Sequence, residues 1–575
     1  MRALRNLLLV VTMGMTGLGC GSDTASARAP DVPDDRTPPD LPPTREPLIV
    51  ESDIYKLAPP YLYVQNAQTG LNILNVANSA KPILVGRTSV TSGSAGELYV
   101  RDSQAIVLLK TASASCRCVQ NLQQDSWSWG AEVVFVDVGD KTRPQPIERW
   151  CLPGELVSSR LVDNVLYVVT THTAGGSRAY SLDVTDARNP VMLQRMEFPE
   201  ASKEILVTAE AIFVAGSTLS SYEQKTRVQY IEITAEGKMT ARGAALLKGE
   251  PQGRFHMDAR DGQFRIVTYE SGIQKSRLSI LDVSNPDDLR LIGQLPGIGY
   301  GEKLYATRFD GDRVYVVTYR QTDPLWIISL QNPAAPQIVG ELVVPGWSDF
   351  IFPRGNQLIT VGRGDRGSYL GVSLFDVTNP QYPRTLSQVS LGSPDSTSEA
   401  NVDHRAVTIL DQPGMLPMIV VPHTAVRYGS TYGGCSVGDE ITLIDVNASS
   451  LRVRGGVAQR GTVYRTLLFY TYLYSISDYE ILSVDFSDRD APRVQSTVTV
   501  GQTVSTSSEY SSYCEKWQTW DTDRRNYVER DYDYHSHDMF ICTVGEGAPV
   551  GWPPAVMVLG LIWLAATRLR RRAGR

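Results

Sequence analysis

The 575-residue sequence is poor in the signatures of catalysis and of nucleic-acid binding. It has only 6 histidines. It carries no Gly-x-Ser-x-Gly elbow, no phosphate-binding loop, no His-Glu-x-x-His pair and no dinucleotide fingerprint in a suitable context. Its formal net charge is −7, and no basic stripe occurs outside the two termini, so nothing indicates nucleic acid as a partner. We predict no catalytic residue, no cofactor and no enzymatic activity.

The amino terminus has the pattern of an export signal. Two arginines and an apolar run precede Leu18-Gly19-Cys20, which resembles a bacterial lipoprotein signal (residues 1–19) with Cys20 as the lipidated residue. The match departs from that pattern in having Gly17 three places before the cysteine, and the alternative is an ordinary secretory signal. Residues 20–48 contain seven prolines and few apolar residues, which predicts an extended tether.

The carboxyl terminus predicts a second membrane segment. Residues 546–575 contain a largely apolar stretch from Val550 to Thr567, followed by five arginines in the last eight residues. The tail resembles the sorting tails of some Gram-negative surface proteins but lacks their cysteine just before the span. Either a permanent anchor or a removed tail fits the sequence. We expect an exported protein of the cell envelope, at the outer membrane or cell surface.

Six cysteines remain when Cys20 is set aside, and an even number in an exported chain predicts disulfides. The candidates are Cys116, Cys118, Cys151, Cys435, Cys514 and Cys542. Our preferred pairs are Cys514 with Cys542, and Cys151 with either Cys116 or Cys118.

A repeated pattern fills residues 49–500. Each copy has a short β run, a second run that ends near an acidic or polar residue, a turn that usually contains proline, and a third run. The marker residues of the nine copies are Asn75, Asp137, Asp183, Glu232, Asp282, Ser329, Asp376, Asp445 and Asp485. The clearest gaps are 46 to 50 residues, a period typical of β-propeller blades and longer than that of β-solenoids. We predict an all-β fold: a single β-propeller of four-stranded antiparallel blades. Eight blades are favoured within a range of seven to nine, because a terminal motif can share a blade.

The repeated Asp-Val-Ser/Thr-Asn-Pro has two interpretations. In the first interpretation, the aspartates form a ring of carboxylates around a binding site. The other is turn chemistry, in which the aspartate accepts a downstream backbone N–H and the proline ends the strand pairing. We favour turn chemistry, because binding sites are usually asymmetric and this motif recurs in most copies.

Several stretches resemble known families. The segment Gly70–Gly86 resembles short repeats named for a Leu-Val-Ile-Val-Asp consensus, found in bacterial surface propellers. The span from Glu51 to Val500 resembles a secreted bacterial and archaeal β-propeller family distantly related to WD-repeat proteins. Its most specific parts are "ESDIYK" at residues 51–56, residues 158–170 and residues 301–353. The resemblance implies the fold and names no catalytic residue.

The extension at residues 501–545 holds the best candidate for a metal site. In an extended chain, Asp531, Asp533, His535 and His537 lie on one face, where carboxylates and imidazoles could bind a divalent metal. The alternative is a solvated polar tail. The remaining histidines (172, 256, 404 and 423) are scattered, and their spacing does not support a site on the propeller axis.

Three segments are rich in Tyr, Trp, Ser and Gly: residues 126–130, 426–434 and 507–521. Such a composition suits either an adaptable binding surface or packing over blade edges. The leading hypothesis is a membrane-tethered, non-catalytic binding or scaffold module whose partner is an envelope protein or glycan. The alternatives are a metal-dependent hydrolase with a site in the propeller funnel, and a structural envelope component.

Overall fold

The computed structural model describes residues 49–502 except 91–95, 113–129, 173–175, 187, 219–223, 321–322, 345, 365–368, 393–395 and 429–434. The strands form nine antiparallel sheets, or blades, each built from four strands consecutive in the chain. Blade 3 carries an additional strand, β1 (Ile49–Val50).

The strands of each blade run from the inner edge to the outer edge in chain order. Blades 1 to 3 contain β2 (Tyr55–Ala58), β3 (Tyr61–Asn66), β4 (Gly70–Asn75), β5 (Ile83–Thr88), β6 (Glu97–Arg101), β7 (Gln104–Ala112), β8 (Gly130–Asp137), β9 (Gln145–Pro153), β10 (Glu155–Val162), β11 (Val165–Thr171), β12 (Ser177–Asp183) and β13 (Val191–Phe198). Blades 4 to 6 contain β14 (Ala201–Val207), β15 (Ala211–Thr218), β16 (Lys225–Ile233), β17 (Met239–Lys248), β18 (Met257–Arg260), β19 (Gln263–Glu270), β20 (Lys275–Asp282), β21 (Arg290–Ile298), β22 (Lys303–Asp310), β23 (Arg313–Tyr319), β24 (Asp323–Ser329) and β25 (Gln337–Val344). Blades 7 to 9 contain β26 (Trp347–Arg354), β27 (Gln357–Arg363), β28 (Leu370–Asp376), β29 (Arg384–Leu391), β30 (Thr408–Leu410), β31 (Met418–Tyr428), β32 (Cys435–Val446), β33 (Leu451–Gln459), β34 (Val463–Phe469), β35 (Tyr472–Ser477), β36 (Glu480–Asp485) and β37 (Arg493–Thr499). Within the described residues, three short 3₁₀ helices lie at Arg254–His256, Glu399–Asn401 and His404–Ala406.

The prediction of an all-β propeller of four-stranded blades is confirmed, and the number of blades is nine. That number lies within the predicted range but exceeds the favoured eight by one. The lower value assumed that a terminal motif shares a blade. Blade 9 instead has four strands of its own, so each of the nine sequence motifs corresponds to one complete blade.

Burial explains the sequence pattern of the strands. The second and third strands of a blade are covered on both faces and read as continuous apolar runs, such as β20, whose residues from 276 to 281 are all buried. Outer strands alternate between exposed and partly buried residues, as β13 does along its whole length. The nine buried apolar clusters of the described residues each join two neighbouring blades.

The ring closes by face-to-face packing of blade 9 on blade 1. Leu74 of blade 1 and Tyr474 of blade 9 belong to the cluster at this interface. Thr69 Oγ1 donates to the carbonyl oxygen of Val500 at 2.7 Å, and Tyr474 Oη donates to that of Ser79 at 2.9 Å. The first and last blades therefore meet through side chains and do not exchange a strand.

The repeated aspartate is a turn residue, as predicted. At the end of the third strand in blades 3, 5 and 7, its Oδ1 accepts the backbone N–H two residues on: 2.9 Å for Asp183, 3.1 Å for Asp282 and 3.0 Å for Asp376. Asp137 and Asp485 make the same bond, and Asn75 makes it in blade 1. Asp445 differs, because its carboxylate is buried and pairs with Arg454 and Arg489.

A glycine in the outer strand lets these turns pack on the preceding blade. A Cβ added to Gly340 would lie 1.7 Å from the carbonyl oxygen of Pro380, in the turn of the next blade. Gly293 meets Pro333 in the same way, at 1.8 Å. The glycine is therefore required by close approach of two backbones and not by its φ angle.

The two faces of the ring carry different connections. One face, the turn face, has the hairpins between first and second strands, such as Asp310–Arg313, and the Asx turns. On the other face, the loop face, the inner strands begin and the second strands end. The outer strands also end there and lead to the next blade. In blade 6, for example, Lys303 and Tyr319 are paired at this face. No helix in the described part of the chain is long and apolar enough to cross a bilayer. The predicted span within 546–575 lies outside that part.

Candidate functional site

The axial channel is the candidate site, because two blades send a 3₁₀ helix into it. The inner strands of blades 5 and 8, β18 and β30, have four and three residues. The 3₁₀ helices Arg254–His256 and His404–Ala406 precede them and take the place of the missing strand halves. The rings of Phe255 and His404 pack edge to face, with centroids 4.5 Å apart. Blades 5 and 8 are not neighbours, so this contact crosses the channel.

Phe255 is a central contact point of the channel. The Phe350 ring of blade 7 lies 6.4 Å from it, centroid to centroid. The guanidinium carbons of Arg308 and Arg254 lie 4.5 Å and 5.1 Å from the Phe255 centroid, within the range of cation–π attraction. Blades 5, 6, 7 and the helix before blade 8 thus converge on one ring.

Residues 49–54 also lie in the channel. Ile49 and Val50, in β1, pair antiparallel with Val162 and Leu161, on the inner edge of blade 3. The carbonyl oxygen of Asp53 accepts the N–H of Leu98, in the inner strand of blade 2, at 2.9 Å. The segment therefore passes along the inner edges of blades 3 and 2 before it enters blade 1.

Two carboxylates of this segment bind arginines of distant blades. Glu51 Oε1 lies 2.6 Å from Arg254 Nη2 of blade 5 and 3.3 Å from Arg160 Nη2 of blade 3. Asp53 Oδ1 lies 2.8 Å from Arg465 Nε of blade 9. The segment is thus joined by charge to three blades, one of which it also pairs with through its backbone.

Arg465 is the most buried cation among these pairs. Its side chain is only 3% exposed, and it also binds Asp403 at 2.5 Å. Asp403 is shared with Arg405 at 2.9 Å. Burial opposes ionisation of Asp403, but the hydrogen bond from Arg405 and the charge of Arg465 hold its pKa well below the usual range. The carboxylate is therefore charged, as a partner of two guanidiniums must be.

A second polar group lies beside the segment. Ser159 Oγ donates to Glu97, and Tyr99 Oη donates to Ser159 Oγ at 2.9 Å. Burial raises the pKa of Glu97, against the opposing effects of the Ser159 hydrogen bond and of Arg160. Burial likewise raises the pKa of Glu204, in the inner strand of blade 4, to about 7.

The histidines of these two 3₁₀ helices are neutral. Burial and the charge of Arg254 lower the pKa of His404 to about 4, although Asp403 acts in the opposite direction. Burial lowers the pKa of His256 to about 4. Neither therefore contributes a positive charge at neutral pH.

This arrangement suits recognition of an extended acidic chain. Glu51 and Asp53 are bound to guanidiniums, and within the described ranges no group of three or more His, Cys, Asp or Glu side chains could hold a metal ion. The described channel thus offers carboxylates paired with arginines, besides the buried carboxyls of Glu97 and Glu204, and no cluster of metal ligands.

Most residues singled out from the sequence lie outside the described part. These are Cys20, Cys116, Cys118, Cys514, Cys542, the four candidate metal ligands Asp531, Asp533, His535 and His537, and the side chain of Cys435. Cys151 is buried and disulfide-bonded, and its pairing with Cys116 or Cys118 stays a prediction. Of the scattered histidines, His404 reaches across the channel to Phe255, whereas His256, in the helix before blade 5, is buried and bonds to the backbone of Val267. His423 is buried within blade 8 and contacts Thr442 at 2.8 Å.

Sequence reasoning missed the arginines of the channel. The acidic pair at positions 51 and 53 is visible in "ESDIYK", where alternate acids precede a strand. Its partners Arg160, Arg254 and Arg465 lie more than a hundred residues away in the chain and have no local signal.

An aromatic patch on the loop face is a second feature. The rings of Tyr305, Tyr319 and Trp347 lie 5.0 to 5.8 Å apart, at the boundary of blades 6 and 7. The ammonium nitrogen of Lys303 lies 5.2 Å from the Tyr305 centroid. All three aromatic side chains are partly exposed.

Two archaeal proteins are similar to part of this chain. An uncharacterized protein of Methanocaldococcus jannaschii is 37% identical over 236 residues, which are 40% of this chain and 34% of that protein. An uncharacterized protein of Archaeoglobus fulgidus is 29% identical over 262 residues, which are 46% of this chain and 37% of that protein. The matches thus span little more than a third of these relatives' lengths.

Solved structures align weakly. BamB from Moraxella catarrhalis has a TM-score of 0.34 and 13% identity, over 66% of this chain and 93% of that chain. Sqt1 from Chaetomium thermophilum has a TM-score of 0.38 and 11% identity, over 57% of this chain and 80% of that chain. At such scores the fold assignment rests on the nine sheets and on the family match.

The family match covers most of the chain. The family described as "Beta propeller domain" matches residues 45–196 and 178–489. This protein belongs to the β-propeller domain family.

Proposed function

We propose that the protein is an exported, membrane-tethered, non-catalytic binding module that recognises an envelope protein on its loop face. The observation that carries the proposal is the common position of the inserts. The connection after Ala112 in blade 2 and the connection after Tyr428 in blade 8 both join a second strand to a third strand. Both therefore leave from the loop face, where the aromatic patch also lies.

The geometry of the patch favours a protein partner over a glycan. The rings of Tyr305 and Tyr319 are inclined by 86°, and Trp347 is inclined by 46° and 49° to them. A sugar ring stacks best on a flat aromatic face, whereas tilted rings with a neighbouring cation suit an irregular protein surface.

Export is supported by the chemistry of Cys151. A disulfide forms and persists in oxidising compartments, and Cys151 is disulfide-bonded. This agrees with the export signal predicted at residues 1–19 and the lipidation predicted at Cys20. The tether and the carboxyl-terminal tail would then hold the ring at the membrane.

The alternative of a metal-dependent hydrolase in the funnel gains no support from the described channel. Three of its carboxylates, Glu51, Asp53 and Asp403, are bound to arginines. The predicted ligand set at residues 531–537 lies outside the described part of the chain.

Two exposed tyrosines on opposite faces allow a matched test. Tyr300 lies between β21 and β22 on the loop face and is 78% exposed; Tyr382 lies in the β28–β29 turn on the turn face and is 75% exposed. Each would be replaced by p-benzoylphenylalanine and irradiated in the producing cells. We expect a defined protein adduct at position 300 and none at 382. Equal labelling of both positions would contradict a protein partner on the loop face. So would an adduct that protease digestion does not remove, if it is the only adduct formed.

A further inference from the structure

Residues 49–54 make the contacts that a bound extended peptide would make. Their backbone adds a strand to the free edge of β10 and one bridge to Leu98. Their two acidic side chains bind guanidiniums, and Arg405 Nη1 donates to the carbonyl oxygen of Ser52 at 2.9 Å. Strand addition combined with side-chain selection is a common mode of peptide recognition.

The channel wall is held in place in part by contacts that do not involve this segment. Arg465 and Arg405 are both fixed by Asp403, at 2.5 Å and 2.9 Å. Ser159 is fixed between Tyr99 and Glu97, and Ser52 of the segment also hydrogen-bonds both of these side chains. The ring closes through blades 9 and 1, not through the segment. Arg465 and Arg405 thus keep a carboxylate partner when the segment leaves.

Two arginines of the wall lie close together near Phe255. Arg254 and Arg308 both lie over this ring, at 5.1 Å and 4.5 Å. Burial and the nearby charge of Arg254 lower the pKa of Arg308, and the charges of Asp310, Asp258 and Glu51 act in the opposite direction. The departure of Glu51 would leave two close cations without that carboxylate, so the wall favours an acidic occupant.

We propose that the axial channel is a binding site for an extended peptide with two acidic residues separated by one position, and that residues 49–54 occupy this site as an intramolecular ligand. The two β-branched residues 49 and 50 supply the strand that pairs with β10. Glu51 and Asp53 supply the charges read by Arg254, Arg160 and Arg465. The site is independent of the partner proposed for the loop face.

Occupation from within the same chain sets the design of the test. A tethered ligand acts at an effective concentration of about 1 mM or more, so an added peptide competes only after the resident segment is weakened. In the full chain, Glu51→Gln with Asp53→Asn removes both charges and keeps the side-chain volumes. The matched control is Asp288→Asn with Glu341→Gln, two exposed acids on blades 5 and 6.

The probe is a fluorescent synthetic peptide with the sequence of residues 47–56, titrated with each protein and followed by anisotropy. We expect binding to the double variant with a half-saturation at least about 30-fold lower than for the natural chain or the control, since two charge-assisted bonds no longer hold the resident segment. A peptide with Gln and Asn at the two acidic positions should not bind. If the double variant has a native circular dichroism spectrum and binds neither peptide, or binds both equally, the proposal is wrong.

A second measurement uses the natural chain and does not depend on a variant. The Leu98 amide is bonded to the segment, whereas Val107 lies in the second strand of the same blade. If the segment detaches while the ring stays folded, the Leu98 amide exchanges with deuterium at least about tenfold faster than the Val107 amide. Equal protection of both amides would show an integral strand and overturn the proposal.

Discussion

Arg465→Met tests whether the charges of the channel hold the segment to the ring. Methionine keeps most of the side-chain volume and removes the guanidinium that binds Asp53 at 2.8 Å and Asp403 at 2.5 Å. Removing one partner of a buried ion pair costs about 3–5 kcal/mol. Asp403 keeps Arg405 at 2.9 Å, and Arg405 also lies 4.0 Å from Asp53. We therefore expect the lower value, about 3 kcal/mol of unfolding free energy.

The assay is equilibrium unfolding in urea, which is uncharged and does not screen ion pairs as guanidinium chloride does. Tryptophan fluorescence and far-ultraviolet circular dichroism must give coincident transitions, since a ring of nine blades can depart from two-state behaviour. The control is Arg384→Met, whose side chain is 71% exposed and pairs with Asp376 at the surface. A surface pair of this kind should contribute less than about 1 kcal/mol.

A double-mutant cycle separates the segment from the rest of the wall. Asp53→Asn combined with Arg465→Met should show a coupling of about 1–3 kcal/mol, because the two side chains share one hydrogen bond. A coupling near zero, or an Arg465→Met effect no larger than that of the Arg384→Met control, would refute the view that the segment is held by charge.

Three further predictions concern other parts of the molecule. Burial favours the protonated form of Glu204 in the folded chain and raises its pKa to about 7. The contribution of this carboxyl to the free energy of unfolding is therefore greatest below pH 4.5 and is lost as the pH rises to about 7. Glu204→Gln should therefore raise the urea midpoint at pH 8 and leave it nearly unchanged at pH 4.5; equal shifts would contradict the assigned pKa. Gly340→Ala should lower the free energy of unfolding by about 1–3 kcal/mol, because the added Cβ would lie 1.7 Å from a backbone oxygen of blade 7. An unchanged thermal midpoint would contradict that contact. Replacing the four candidate ligands in 531–537 with alanine should abolish any stoichiometric metal that mass spectrometry finds after dialysis. If the natural chain contains no metal, the predicted metal site is wrong.

Local interactions explain why the repeat and the fold class were predictable. An aspartate such as Asp282 bonds to a backbone N–H two residues away, so the turn needs only its own sequence. Apolar runs such as 276–281 are buried on both faces of a blade, and their spacing indicates the repeating sheets. Nine motifs were countable, but whether the terminal motif shares a blade depends on how the ring closes.

The channel depended on contacts that no local pattern contains. Asp53 meets Arg465 across 412 residues, and Phe255 meets His404 only because blades 5 and 8 face each other across the axis. Scattered histidines and arginines look alike in the sequence, whether they reach the axis or stay within a blade.

The sequence by itself determined the strands, their turns and the nine repeating units, because each rests on hydrogen bonds and burial within about fifty residues of chain. The tertiary structure alone decided the number of complete blades, the face from which the inserts leave and the pairing of Glu51 and Asp53 with distant arginines. These features arise only when the ring closes and brings inner edges from all the blades around one axis, at a spacing set by blade packing.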